Sequence, residues 1–137
     1  MGIVLDSSVL IASERAGLNS KQAFAAILRK TGNDEVALSV ITLLELAHGA
    51  VRANTTERKQ KRERIIQELL AAVPIHPITA SIALRAGQID GQSQASGIRI
   101  PIADLLIGAT ALELGYSVAT ENFRHFKQIP GLSIIPV

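Results

Sequence analysis

Short apolar runs alternate along this chain with longer stretches in which apolar residues recur every three or four positions. Ile3, Val4 and Leu5 form the first short run, and it ends abruptly at Asp6, Ser7 and Ser8. That pattern predicts a buried strand whose C-terminal end presents a carboxylate and two hydroxyls. Residues 36–40, 116–120 and 133–135 predict three more short strands. The segment Pro74-Ile75-His76-Pro77-Ile78 is too proline-rich for a central strand and has room only for a short one. Helical spacing fills the intervals. Residues 8–13 begin a first helix. Residues 21–30 follow, capped by Ser20, with Ala23, Phe24, Ile27 and Leu28 inward and residues 31–34 as the stop. Residues 41–53 form a helix capped by Ser39 or Thr42. Asn54-Thr55-Thr56-Glu57 resembles a capping box and opens a helix whose second half turns Ile65, Ile66, Leu69, Leu70 and Val73 inward. A further helix starts at Thr79 or Ser81 and runs towards Ser96, with Ile82, Ala83, Ala86 and Ile89 inside. Another follows Pro101 over 103–114, with Gly115 as its C-cap. Strands alternating with helices predict an α/β fold with a mainly parallel sheet and helices on both faces.

The bulk properties narrow the function classes. A chain of 137 residues is expected to form one domain over 1–137. There is no cysteine, which excludes disulfides and thiolate metal sites. No signal peptide is expected at the start. The longest apolar run, 100–114, is interrupted by Asp104, Thr110 and Glu113 and is too short to span a bilayer. The expectation is a soluble cytoplasmic protein with no membrane partner. Fourteen basic residues against twelve acidic ones leave a net charge of only +2, and there are three Phe, one Tyr and no Trp. A nucleic-acid partner would be held through its phosphates rather than by base stacking.

Three single acids stand where acids are costly. Asp6 ends a strand, Glu45 lies in ITLLELA about one helical turn after another strand, and Asp104 lies in IADLLI at a helix start. Each alone has a structural explanation: Asp6 as a helix N-cap, Asp104 in the favourable field of a helix N-terminus, Glu45 in a salt bridge to Arg52 or a distant arginine. Together they can meet above one edge of one sheet, and carboxylates share a small volume only when protons or cations neutralise them. Hard oxygen ligands without suitably spaced histidines point to Mg²⁺ or Mn²⁺, and such a site commonly binds phosphate oxygens and activates water against a phosphodiester. His48, His76 and His125 are not at metal spacing and read as structural or surface residues. No glycine-rich phosphate loop is present. The run from Arg58 to Arg64 is either a solvated helix face or a ridge offering Arg58, Lys61, Arg62 and Arg64 to RNA phosphates.

Four segments then carry a resemblance: IVLDSSVLI over 3–11, LSVITLLELAHG over 38–49, IPIADLLI over 100–107 and ATENFRHF over 119–126. In order and spacing they resemble the motifs of PIN-domain ribonucleases, most closely VapC-type toxins of type II toxin–antitoxin systems. The resemblance implies a three-layer α/β/α fold and a Mg²⁺- or Mn²⁺-dependent endoribonuclease. It also implies inhibition by a cognate antitoxin, and a homodimer. It places Asp6, Glu45 and Asp104 as the catalytic, metal-holding acids, Ser7 or Ser8 as the group orienting Asp6, and Thr120 as a hydrogen-bond partner of the acids. Asn122 stands where many PIN domains have a fourth acid, which weakens the case for a second tightly held metal.

Two alternatives remain open from sequence: a metal-dependent nuclease acting on DNA or RNA-processing intermediates, and a catalytically silent PIN module that works by binding protein or nucleic acid. An inhibitor of the enzyme would suitably insert an arginine among the carboxylates. It would also bury an apolar segment against the early helices, around Val9, Leu10, Phe24 and Leu28.

Overall fold

The computed structural model describes residues 2–32 and 35–137. Among them, five strands form one sheet in the order β3-β2-β1-β4-β5, with every pairing parallel. The strands are β1 (Gly2–Leu5), β2 (Glu35–Ser39), β3 (Ile75–His76), β4 (Ser117–Thr120) and β5 (Ile134–Pro136). The helices between them are α1 (Ser7–Arg15), α2 (Ser20–Thr31), α3 (Val40–Val51), α4 (Thr56–Ala72), α5 (Ala80–Ala95), α6 (Ile102–Leu114) and α7 (Phe123–Phe126). The expected strand and helix order is therefore present. Strand β3 is confined to two residues by the prolines that flank it at 74 and 77.

Alternation along β1 explains the layers. Ile3 and Leu5 face one side and join Val9, Leu10, Ile27, Leu38, Leu46, Ile65 and Leu69 in one core. Val4 faces the other and packs with Val118, Ile82, Ala86, Leu105, Ile107 and Phe126 in the second. A strand buried on both faces reads as an unbroken apolar run, as Ile3-Val4-Leu5 does. Helices α1 to α4 cover one face and α5, α6 and α7 the other, the expected three-layer α/β/α arrangement.

Several ends fall where local chemistry sets them. Asn19, not Ser20, caps α2: its side chain accepts from the Gln22 amide while the Gln22 side chain accepts from the Asn19 amide. Ser39, Thr55 and Thr79 cap α3, α4 and α5. Gly32 and Gly115 close α2 and α6 in the left-handed conformation, at φ 69° and 70°. The stop expected over 31–34 lies partly outside the described residues, at 33 and 34.

Some expected inward positions differ. Ala83 and Leu70 are exposed. Val9 and Leu10 are buried in the core, with Phe24 and Leu28 half-buried, so the early helices do not present these four as a free apolar surface. The reason is α4, which lies across the same face and brings Ile65 and Leu69 onto them. Among the described residues, no helix is long and apolar enough to cross a membrane.

Candidate active site

The order β3-β2-β1-β4-β5 means that the chain leaves β1 in one direction and returns on its other side at β4. In open parallel sheets, such a switch point between adjacent strands is where the carboxyl ends leave a crevice for ligands. Here the crevice lies between Leu5, which ends β1, and Thr120, which ends β4. Asp6 sits at its mouth, held to β4 by its backbone N–H on the Ala119 carbonyl at 3.0 Å.

Asp6 is 1% exposed and its carboxylate is bound from one side only. Its Oδ2 accepts from the Ser8 hydroxyl at 2.7 Å and from the Thr120 hydroxyl at 2.9 Å. Each hydroxyl is in turn fixed by a backbone amide of the turn after β4. Glu121 N–H donates to Ser8 Oγ at 3.0 Å, and Asn122 N–H donates to Thr120 Oγ1 at 2.8 Å. Two parallel relays thus hold one carboxylate oxygen, and such chains of hydrogen bonds reinforce one another at low dielectric. Among the described residues, nothing donates to Asp6 Oδ1.

Glu45 arrives on α3. The Thr42 hydroxyl donates to the Leu5 carbonyl at 3.2 Å, which pins the first turn of α3 to the end of β1. One turn further, Glu45 Oε1 accepts from the Ser7 hydroxyl at 3.0 Å. The salt bridge to Arg52 considered from sequence is not made. Burial raises the Glu45 pKa, the Ser7 hydrogen bond opposes the rise, and the Asp6 and Asp104 charges add to it.

Asp104 lies in the first turn of α6. Its Oδ2 contacts His125 Nδ1 at 2.7 Å. Burial raises its pKa, with the Asp6 charge adding to the rise and His125 opposing it. The two shifted carboxylates each feel Asp6, so the three acids share one electrostatic site.

Ser8 and Thr120 therefore hold Asp6, whereas Ser7 serves Glu45. Asn122 contributes its backbone N–H, and its side chain is exposed. Sequence alone missed His125, read as structural or surface, because its role depends on a four-residue helical turn that brings it over the start of α6. It also missed the Glu121 and Asn122 amides and Thr42.

The donor set suits a hard cation. It is all oxygen, one buried carboxylate oxygen lacks a protein donor, and two neighbouring carboxyl groups are pushed towards protonation by burial and mutual charge. Yet among the described residues no three Asp, Glu or His side chains close into a cage able to hold an ion alone. The set would suit a hard divalent cation that keeps several waters and needs only one or two carboxylates plus substrate phosphates.

The basic run on α4 divides. Arg62 is half-buried: its guanidinium binds Glu14 at 2.6 Å and donates to the Leu46 carbonyl at 3.3 Å, with the two side chains 12% and 16% exposed. Arg62 therefore departs from its expected place among phosphate contacts, because it is used to clamp α4 to α1 and α3. Arg58, Lys61 and Arg64 remain exposed.

The model of the family described as "PIN domain" matches residues 3–132. The chain belongs to the PIN-domain family. It is 31% identical over 137 residues to Ribonuclease VapC1 of Rickettsia felis, which covers 100% of this chain and 97% of that relative. Its fold superimposes on a crystal structure of VapBC2 from Rickettsia felis bound to a promoter DNA fragment. The TM-score is 0.84 and the identity 22%, with 100% of this chain and 99% of that one covered. A VapBC-5 toxin–antitoxin structure from Mycobacterium tuberculosis gives a TM-score of 0.77 at 28% identity, covering 99% of this chain and 98% of that one. Within the PIN domains, then, this chain groups with the VapC ribonucleases.

Proposed function

We propose that this chain is the toxin of a type II toxin–antitoxin pair, a metal-dependent endoribonuclease that cuts phosphodiester bonds at the edge formed by Asp6, Glu45 and Asp104. The observation that carries this is the asymmetric seat of Asp6. One oxygen is fixed by two hydroxyls that backbone amides hold in place, and the other has no protein donor, so the carboxylate is oriented towards a ligand outside the chain. Asp6 and Asp104 would hold Mg²⁺ or Mn²⁺, with Glu45 beside them. When bound, such a cation withdraws charge from the scissile phosphate and makes water a stronger acid. The chain's own part is to fix the acids, through Ser8 and Thr120 on Asp6, Ser7 on Glu45 and His125 on Asp104. Glu45, whose pKa is raised by burial and which stands beside the two cation-holding acids, is suited to take the proton that the attacking water gives up.

The VapC relatives are named ribonucleases, and the structural neighbours are toxin–antitoxin complexes. That supports RNA as the substrate and an antitoxin as the partner. In this reading the chain works in the cytoplasm as one domain over 1–137. The seat for an antitoxin segment is the shallow groove of about 190 Å³ between α1 and α2, where Val9, one of the four residues expected from sequence, is joined by Ala12, Ala16, Leu18 and Ala26. A homodimer would bury the exposed stripe of α3, where Leu44 and Val51 are 62% and 78% exposed.

Incubating purified protein with single-stranded RNA, tRNA and single-stranded DNA, with and without EDTA, tests the proposal. EDTA-sensitive internal cleavage of RNA is expected. Cleavage of DNA alone, or none of any substrate with Mg²⁺ and Mn²⁺ supplied, would overturn it.

A further inference from the structure

A separate cleft of about 690 Å³ opens beside the acidic edge, walled by the end of α1, the end of α3 and the start of α4. Five cations line it: Arg15, Arg52, Arg58, Lys61 and Arg62. The one acid in its wall, Glu14, is bound to Arg62. Arg15, Arg52, Arg58 and Lys61 are exposed, and among the described residues no carboxylate pairs with them. The whole chain carries a net charge of only +2, so positive charge is gathered here and not spread evenly.

The cleft shares its walls with the carboxylate site. Gly49 lies four residues beyond Glu45 on α3, and Ile11 lies four beyond Ser7 on α1, about 6 Å along each helix axis. The wall itself is built. The half-buried Glu14–Arg62 pair joins α1 to α4, and a Cβ at Gly49 would run into the Arg62 guanidinium, so glycine is what lets α3 approach it.

The lining also says what kind of ligand fits. Ile11 and Ala53 are the apolar side chains in it, and no aromatic ring is present. A docked protein segment takes its affinity from apolar anchors in pockets, which this cleft lacks. A polyanion needs only the cations. Carboxylates that must receive a phosphodiester repel its charge, and a neighbouring cationic wall offsets that repulsion.

We propose that this cleft is an extension of the active site that holds the backbone phosphates of single-stranded RNA as the strand leaves the carboxylates, with Arg15, Arg52, Arg58 and Lys61 as the phosphate-binding side chains. The proposal rests on the ribonuclease reading of the acidic edge and adds to it a place where the strand runs. Ion pairs with phosphates do not discriminate bases, so the cleft supplies affinity and leaves sequence choice to the site itself.

The test is fluorescence anisotropy of the intact protein with a labelled twelve-nucleotide single-stranded RNA in EDTA, over a range of salt. The variants are R15Q/R52Q and R52Q/K61Q, with R29Q/R99Q as a matched removal of two exposed charges outside the cleft. Each cation withdrawn from a phosphate should flatten the log–log salt slope by about 0.7, so each cleft pair should flatten it by about 1.4, and the control pair by much less. Equal flattening by all three pairs, or by none, overturns the cleft. So does an unchanged RNA slope when R52Q/K61Q instead loses a co-purifying protein partner. Because binding is read without cleavage, the two readings fail separately. RNA held through the cleft but never cut would refute the nuclease and keep the cleft, and an active nuclease with unaltered slopes would do the reverse.

Discussion

His125 Nδ1 lies 2.7 Å from Asp104 Oδ2, joining the short helical turn after β4 to the first turn of α6. The contact is the main local influence that favours the ionised form of Asp104, against burial and the Asp6 charge, which both favour the protonated form. Replacing His125 with Leu removes that influence, so the Asp104 pKa rises further. In EDTA the Asp104 carboxyl should then titrate at higher pH by NMR, and H125N, which keeps a donor, should move it less. A titration midpoint at the wild-type position in H125L would show that the contact does not favour the ionised form.

The raised pKa values of Glu45 and Asp104 also bear on stability without metal. A carboxyl group whose pKa is higher in the folded than in the unfolded state binds its proton more tightly when folded. Its favourable contribution is complete below the unfolded pKa, near 4 for an ordinary carboxyl group, and is lost as pH rises through the folded value. At neutral pH each ionised group is therefore a cost. E45Q and D104N should melt at higher temperature than wild type at pH 8 in EDTA, and the gain should shrink towards zero as pH falls to about 4. Thermal unfolding at several pH values checks this, and a gain that grows on acidification would have the wrong sign.

Glu14 and Arg62 form a half-buried pair linking α1 to α4, with the Arg62 guanidinium also on the Leu46 carbonyl. Removing one partner leaves the other charge half-buried without its charge-assisted hydrogen bond. E14Q and R62M should each lose about 2 kcal/mol of unfolding free energy. The double variant should recover part of that loss, and chemical denaturation of all four proteins measures the coupling. Strict additivity would mean that the two side chains act independently.

That pair also shows where sequence stops being legible. Arg58 to Arg64 reads as a uniform basic face, and nothing local separates Arg62 from its neighbours. Its burial depends on Glu14, which is 48 residues away, and on the absence of a side chain at Gly49. By contrast, β1, β2 and β4 and the Gly115 cap are local signals and legible for that reason; the caps at Ser39 and Thr79 are each one of two candidates, and the box expected over 54–57 is replaced by Thr55 accepting from the Arg58 amide. The acids Asp6, Glu45 and Asp104 stand out because single carboxylates in apolar runs are costly. The relay behind Asp6 does not stand out, because the donors at 121 and 122 are backbone amides, which every residue except proline carries. His125 reads as a structural or surface residue, and its contact with Asp104 is not legible, because a four-residue helix is too short to show a period.

Asp6, Glu45 and Asp104 are proposed to form one catalytic edge. The most direct measurement is single-turnover cleavage of single-stranded RNA by wild-type and D104N proteins at saturating Mg²⁺ or Mn²⁺, with circular dichroism confirming that both are folded. Asp104 shares its electrostatic site with Asp6 and Glu45, so neutralising it should slow cleavage at least about 100-fold without loss of fold. Cleavage by folded D104N at a rate near that of wild type would contradict the account.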